Sequence, residues 1–220
     1  MTDTAQQTRA ILAAYRQVMS ASWPELHPEM AGRAASWESA TADALKDELR
    51  GYVRVASKPD CAVRVFWKLT PDYKFGGCNE HFARDAGMSS TDLVGRDDFD
   101  RSLPWVFQAA KYRADDEAIV GSGHPKLDII ERQKGASGTI TWVRVGKAPI
   151  RAAGGVIGIL GMYEVLDQQT GPGCSPSRAA AASGGGQRPL RLSNTRLDRS
   201  LTSLYASSSF WMPPVRITST

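Results

Sequence analysis

Several features common in secreted, membrane and metal-binding proteins are scarce or missing in this sequence. Its 220 residues include only three cysteines, which are far apart, odd in number and without the spacing of metal ligands. No apolar run reaches the roughly 18 residues that a membrane-spanning helix needs. The amino terminus has no basic segment followed by an apolar one, as a secretory signal would. We therefore expect a protein of the reducing cytoplasm.

Acidic residues are nearly absent beyond residue 167. The segment 168–220 carries a net charge of +5 and residues 1–167 sum to −1, so the overall charge of +4 belongs to the tail. The tail arginines are scattered among serine, proline and leucine, which argues against nucleic acid or a membrane as a partner. Low-complexity stretches without helical or strand periodicity predict that 168–220 is a disordered tail.

Catalytic motifs are also missing. No Gly-x-Ser-x-Gly motif is present, and the glycines at 154–158 are not followed by the Lys-Ser/Thr of a phosphate-binding loop. The three histidines lie in unrelated contexts: His27, His81 and His124. The sequence therefore favours a non-enzymatic protein.

A group of aspartates is the one concentration of possible metal ligands. Asp97, Asp98 and Asp100 lie close together, and Asp115 and Asp116 follow on a predicted helix. Their spacing lacks the alternating ligands and the fixed glycine of a calcium loop. We expect no metal site, and we expect Asp98 or Asp100 to accept backbone amide hydrogens in the loop before the long helix.

Residues 1–58 are predicted to form a helical extension. Apolar side chains between Ile11 and Met19 recur at the spacing of one helix face, and Pro24 and Pro28 end that pattern because proline has no amide hydrogen. A second helix has an apolar stripe made of Trp37, Leu45, Leu49, Tyr52 and Val53. We expect this helical pair to cover one flank of the following domain or of a partner subunit.

Residues 59–167 combine strand and helix patterns and predict an α+β domain. Alternating side chains indicate a first strand over 63–69, with Trp67 on the face opposite Lys68. Asn79 is expected to cap a short helix that stops at Gly87, and Ser89 to open a one-turn helix. The longest helix is predicted over 104–120. Three further strands, over 126–133, 140–149 and 156–166, are joined by glycine-bearing hairpin turns.

The order of these fragments resembles the PAS domain of bacterial signalling proteins. The resemblance covers about half the chain. It is more specific for one subgroup of PAS domains. The matching fragments are Phe66-Trp-Lys68, Gly77-Cys-Asn79 with Phe82-Ala83, Gly95 to Trp105, Tyr112 to Asp116, Gly123 to Lys126, Trp142, Lys147 to Pro149 and Ile157 to Tyr163. The usual helical connector into a kinase or cyclase domain is not evident after Asp167.

The resemblance implies a five-stranded antiparallel sheet with helices on one face that enclose a cavity. Such cavities hold haem, flavin or a small metabolite, or are filled core. On this analogy, the cavity residues are Trp67, Phe75, Phe82, Trp105 and Tyr112, with polar contacts from Asn79 and Arg144. The cofactor stays unknown: the predicted long helix has no histidine for haem, and Cys78 precedes Asn79 instead of following it as in flavin photoreceptors.

The functional expectation is a sensory domain that binds a small ligand or a partner and relays a conformational change through its amino-terminal helices. The alternative is an interaction or dimerisation module that binds no ligand and serves a kinase, cyclase or transcription regulator. A homodimer and a signalling partner protein are the expected associations in both cases.

Overall fold

A computed structural model of the chain describes residues 3–58, 62–152 and 154–166. The α-helices are α1 Thr4–Ser22, α2 Met30–Arg33, α3 Ala42–Val55, α4 Glu80–Ala86, α5 Ser90–Leu93 and α6 Ala109–Ser122. The strands are β1 Arg64–Leu69, β2 Lys74–Cys78, β3 Lys126–Lys134, β4 Ile140–Ala152 and β5 Gly155–Leu166. Short 3₁₀ turns cover Ala34–Trp37 and Val106–Gln108.

The five strands form one antiparallel sheet in the order β2-β1-β5-β4-β3. The expected strands are confirmed to within a few residues at each end. The hairpin turns contain glycines with left-handed backbone, Gly138 with φ 81° and Gly154 with φ 99°, a conformation that costs glycine little. The alternation of side chains along each strand gives the sheet two different faces.

The inner face, defined here as the face covered by α4 to α6, packs an aromatic core. Phe66 and Tyr163 from the sheet meet Phe82 of α4 and Ile119 of α6 in this core. The local signals act as expected: the side chain of Asn79 accepts from the amide of Phe82 at 3.1 Å. Helix α4 ends at Gly87, which has φ 74°.

The longest helix on the inner face begins later than the sequence predicts. Regular α-helix starts at Ala109 instead of Pro104. Turns and a 3₁₀ stretch occupy the intervening residues, and they bury the side chains of Leu103 and Trp105 in the inner core. In a continuous helix, side chains return to the same face every 3.6 residues. The backbone of this segment does not keep that repeat and instead follows the surface of the inner core.

The outer face, the opposite side of the sheet, is covered by α1 and α3. Leu12 and Val18 of α1 are fully buried in one core with Val65, Leu160 and Met162 of the sheet. The predicted apolar stripes of both helices therefore pack against the sheet of the same chain.

Two details of the outer face refine the sequence prediction. Trp37 is buried as expected, but it lies in the 3₁₀ turn before α3 and not in that helix. Gly146 of β4 allows α1 to approach closely, since a Cβ at Gly146 would lie 2.9 Å from Cγ1 of Val18.

The described part of the chain contains no helix with both the length and the hydropathy required to cross a bilayer. The tail over 168–220, predicted to be disordered, lies outside the described residues.

Replacing Leu12 with alanine tests whether the helices and the sheet form one cooperative core. Leu12 is completely buried, so Leu12→Ala is expected to lower the free energy of unfolding by about 2–5 kcal/mol. Gln17→Ala, at an exposed position of the same helix, is the matched control. Urea unfolding followed by circular dichroism should show one transition that shifts only for Leu12→Ala. An early transition confined to the helices would contradict the shared core.

Candidate functional site

A small cavity lies between the inner face of the sheet and the helices. Its volume is about 30 Å³, which is room for one or two water molecules. Aromatic side chains dominate its wall: Phe66, Phe75, Phe82, Trp105, Tyr112 and Tyr163. Phe66 stacks on Phe82 with 4.6 Å between ring centroids, and Trp105 lies 5.4 Å from Phe82.

Two lysines and two aspartates, which we call the charge cluster, are buried beside these rings. Lys68 of β1 bonds to Asp98 and, through Nζ, to Oδ2 of Asp116 at 2.8 Å. Lys147 of β4 donates to the other oxygen of Asp116 at 2.7 Å. All four residues are at most 4% exposed. The cluster has no net charge, and it ties two strands to α6 and to the loop that contains Asp98.

Two aromatic rings lie close to the ammonium group of Lys68. Its Nζ lies 5.1 Å from the ring centroid of Phe75 and 5.5 Å from that of Phe66. Such cation–π contacts compensate part of the hydration that a buried ammonium group loses. Lys68 therefore presents a fixed positive charge at the cavity wall.

The pKa directions agree with an ionised cluster. Burial alone would raise the pKa of Asp116, but the charges of Lys68 and Lys147 outweigh it and hold that pKa below its ordinary value. Burial would lower the pKa of Lys68, yet the carboxylates of Asp116 and Asp98 hold it above its ordinary value. Lys68 thus keeps its proton because of the carboxylates beside it, and Asp116 stays charged because of the two lysines.

Four of the seven predicted cavity residues come together around this cavity: Phe75, Phe82, Trp105 and Tyr112. Whether any of them contacts a ligand stays a prediction. The hydroxyl of Tyr112 donates to Gln108 at 2.8 Å, and burial raises the pKa of Tyr112 above its ordinary value.

Trp67, a fifth predicted cavity residue, lies on the outer face. Its ring packs against Gly77, where a Cβ would be 2.1 Å from the ring, and against the core of the amino-terminal helices. The alternation along β1 was predicted correctly, but the face toward the cavity is the one that contains Phe66 and Lys68. Trp67 therefore does not line this inner cavity, and whether it contacts a ligand stays a prediction.

Asn79 and Arg144, the predicted polar contacts, also lie away from the cavity. Asn79 is 3% exposed; it accepts from the amide of Val65 at 3.1 Å and donates to the carbonyl of Val63 at 2.7 Å. Asn79 therefore fastens α4 to β1.

Arg144 bonds to Glu164 at 2.7 Å and to the carbonyl of Ser22 at 3.2 Å. Its guanidinium group also lies over the ring of Trp23. Arg144 therefore joins the end of α1 to the outer face of the sheet.

The remaining candidate residues have local structural contacts. Asp100 accepts from the amide and the hydroxyl of Ser102; these bonds and Arg96 lower the pKa of Asp100 to about 2. This confirms the expected loop contact. Burial, with the charge of Glu80, raises the pKa of the Cys78 thiol to about 12, which makes that thiol a poor nucleophile at neutral pH.

The histidines of this domain differ in exposure. His81 is buried, whereas His124 is exposed and lies 2.8 Å from the carbonyl of Ser122 through Nδ1. The described residues contain no group of three or more side chains arranged to hold a metal ion.

The sequence analysis missed Lys68 and Lys147 because a lysine on a strand is usually solvent-exposed. One local signal was available. Lys68 shares its face of β1 with Phe66, and an aromatic residue beside a lysine on the supposedly polar face indicates that this face is buried as well.

Removal of one charge from the cluster should strongly destabilise the fold. Asp116→Asn leaves Lys68 and Lys147 buried with too little compensating charge, and breaking a buried ion pair costs about 3–5 kcal/mol. Asp115→Asn is the matched control on the same helix, since Asp115 is only partly buried and exposed pairs contribute less than about 1 kcal/mol. Chemical unfolding of both variants measures the difference. Equal losses would contradict an ionised, buried cluster.

The cluster also predicts a pH dependence of stability. The folded-state pKa of Asp116 is lowered, so its contribution is present above the unfolded value of about 3.9 and is lost as pH falls below it. The folded-state pKa of Lys68 is raised, so its contribution is present below about 10.4 and is lost at higher pH. Unfolding free energy measured from pH 2 to pH 12 should fall at both ends. In the variant Lys68→Met/Asp98→Leu the fall at high pH should be weaker, and an unchanged profile would argue against this assignment.

Comparison with known proteins yields structural likeness only. No family model matches the chain, and neither does any curated protein sequence. A PAS domain structure from Colwellia psychrerythraea is 14% identical, with 56% of this chain and 98% of that chain covered and a TM-score of 0.44. The Vibrio cholerae VqmA complex with ligand and DNA is 21% identical, with 46% of each chain covered and a TM-score of 0.42. The LOV protein of Rhodobacter sphaeroides is 18% identical, with 49% of this chain and 61% of that chain covered and a TM-score of 0.39.

The chain spans about half the length of the VqmA structures that it matches. The architecture itself is the clearer observation: a β2-β1-β5-β4-β3 antiparallel sheet, with short helices and then a longer one between β2 and β3. Residues 62–166 of this protein have the PAS fold.

Proposed function

We propose that this domain is a non-enzymatic PAS sensor that binds a small polar ligand on the inner face of its sheet. Its ligand-free state is closed by the charge cluster, and ligand binding opens it. The observation that carries the proposal is the burial of two lysines and two aspartates beside an aromatic cavity.

The burial of these charges supports a binding role. Two apolar pairs of similar volume would be as stable or more stable than buried ion pairs, because desolvation offsets much of the Coulombic attraction. In a domain that needed only a filled core, apolar residues would stabilise at least as well as Lys68 and Lys147. A binding site gains from the charged groups, since fixed polar groups among apolar walls orient a ligand.

The cover segment, residues 97–105, is the part of the wall that supports an opening motion. It has little regular secondary structure and contributes Asp98 and Trp105 to the cavity. The hydrogen bond that Lys68 donates to Asp98 holds this segment against β1. A ligand that offers its own acceptor to Lys68 replaces Asp98 and so binds the open state better than the closed one, as a population shift requires.

The geometry favours a small planar ligand with a carboxylate or oxo group. The acceptor group would bond to Lys68, and in the open state the planar body would lie against the wall formed by Phe66, Phe82 and Trp105. In the closed state these rings pack on one another, with centroids 4.6 Å apart for Phe66 and Phe82 and 5.4 Å apart for Phe82 and Trp105. Offset stacking on such rings adds to the stabilisation from burial.

The sheet offers a direct route from this site to the amino-terminal helices. On β1, Lys68 faces the cavity while its neighbour Trp67 packs against the helical core. On β4, Lys147 faces the cavity and Ala148 packs on the helices. A shift of either strand that follows the loss of a cluster bond would therefore change the packing of α1 and α3.

The second candidate is an interaction module that binds no ligand, and the cavity volume favours it. About 30 Å³ is far below the 300–1,000 Å³ typical of ligand sites. In this case the charge cluster would be structural, and the output would be association with a second copy or with a partner protein.

Benzoate binding distinguishes the two candidates. In the first, benzoate should bind the full chain and shift the resonance of the Trp105 indole, while benzamide, which has the same shape without the charge, binds more weakly. The balanced variant Lys68→Met/Asp98→Leu removes one charge of each sign and should abolish the preference for benzoate. Absorbance and native mass of the purified chain would reveal a ligand carried from the host. No ligand in the native mass and no response to benzoate would favour the interaction module.

A further inference from the structure

A second and larger depression lies on the opposite face of the sheet. It has a volume of about 610 Å³ and runs between α1, α3 and the β1–β2 edge. This lies within the 300–1,000 Å³ range typical of small-molecule sites. We call it the outer groove. It shares no lining residue with the inner cavity.

The floor of the outer groove is apolar. Ile11 of α1 and Leu49 and Val53 of α3 form one side, and Trp67 and Leu69 of β1 form the other. The two β1 side chains are only half-buried, in contrast to Phe66 and Lys68 on the inner face of the same strand. The indole of Trp67 lies close to the glycines of β2, since a Cβ would be 2.8 Å from the ring at Gly76 and 2.1 Å from it at Gly77.

The rim of the outer groove is basic. Lys46, Arg50 and Arg54 follow one another at four-residue spacing along α3 and line it, and Glu80 is the one acidic residue among the described residues that line it. Lys46 and Arg50 have acidic neighbours in α3, at 3.7 and 3.0 Å. Arg54 makes no ion pair with any residue in the described part of the chain. A cationic rim above an apolar floor is complementary to a molecule with an anionic head and an apolar body.

We propose that the outer groove binds an amphipathic carboxylate of the fatty-acid class. The acyl chain lies on Trp67, Leu69 and Val53, and the carboxylate accepts hydrogen bonds from Arg50 and Arg54 at the rim. The exposed position of these arginines keeps the head group partly hydrated, so binding does not require an ion to be fully desolvated. This site is separate in space from the inner cavity.

Occupation of the groove would brace α3 against β1. The acyl chain would contact both elements, which belong to one apolar core. The ligand would thus stabilise the helical layer on the sheet by simple mass action, because it binds the folded arrangement and not the separated one.

Titration of the full chain with dodecanoate, below its micelle concentration, tests the site. We expect the Trp67 indole resonance to shift on binding and that of Trp105 on the inner face to stay in place. Dodecan-1-ol, which has the same chain and a neutral head, should bind roughly tenfold more weakly, since it lacks a charge-assisted hydrogen bond.

Charge variants test the role of the two rim arginines, and a second pair of arginines provides the matched control. Arg50→Gln/Arg54→Gln should weaken dodecanoate binding by roughly tenfold and leave dodecan-1-ol unaffected. Arg101→Gln/Arg132→Gln removes the same charge from exposed positions away from the groove and should change neither. Circular dichroism confirms that both variants are folded.

Three results would overturn the proposal: no shift of the Trp67 resonance, equal affinities for dodecanoate and dodecan-1-ol, or wild-type binding by Arg50→Gln/Arg54→Gln. A shift of the Trp105 resonance alone would indicate that the ligand binds in the inner cavity, and this result would also overturn the proposal. None of these results bears on the benzoate experiment, so the two sites are tested separately.

Discussion

The buried ion cluster is the interaction on which the rest of this structure depends. Asp116 accepts from Lys68 and Lys147 at 2.8 and 2.7 Å, and Lys68 also holds Asp98. These bonds connect β1 and β4, which are far apart in sequence, to α6 and the cover segment. Because each charge compensates another in a medium with little water, removal of a single charge destabilises the fold more than removal of a balanced pair.

The sheet separates two layers of different character. The inner face carries aromatic rings and the charge cluster, whereas the outer face carries an aliphatic core shared with α1 and α3. Adjacent residues of β1, such as Trp67 and Lys68, belong to different layers. A change on one face therefore reaches the other through a single strand, which is a shorter route than any path around the edge of the sheet.

Local patterns predicted most of the elements, and distant contacts decided the site. The Asn79 cap, the stop at Gly87 and the strand alternation all depend on neighbouring residues, so the sequence was sufficient for them. The face on which Trp67 lies depends on α1, which is more than forty residues away. Once that helix covers the outer face, Lys68 is buried on the inner one, and the local sign of this is Phe66 on the same face of β1. Asp116 was likewise considered as part of an acidic group, because its two lysine partners lie 48 and 31 residues away.

Hydrogen–deuterium exchange of the backbone tests most directly whether the cluster holds the cover segment closed. The comparison is between the wild-type chain and the balanced variant Lys68→Met/Asp98→Leu, which keeps the Asp116–Lys147 pair. We expect faster exchange over residues 97–108, with β4 and β5 protected as in the wild type. Unchanged exchange over 97–108, or a uniform increase across the whole domain, would contradict it.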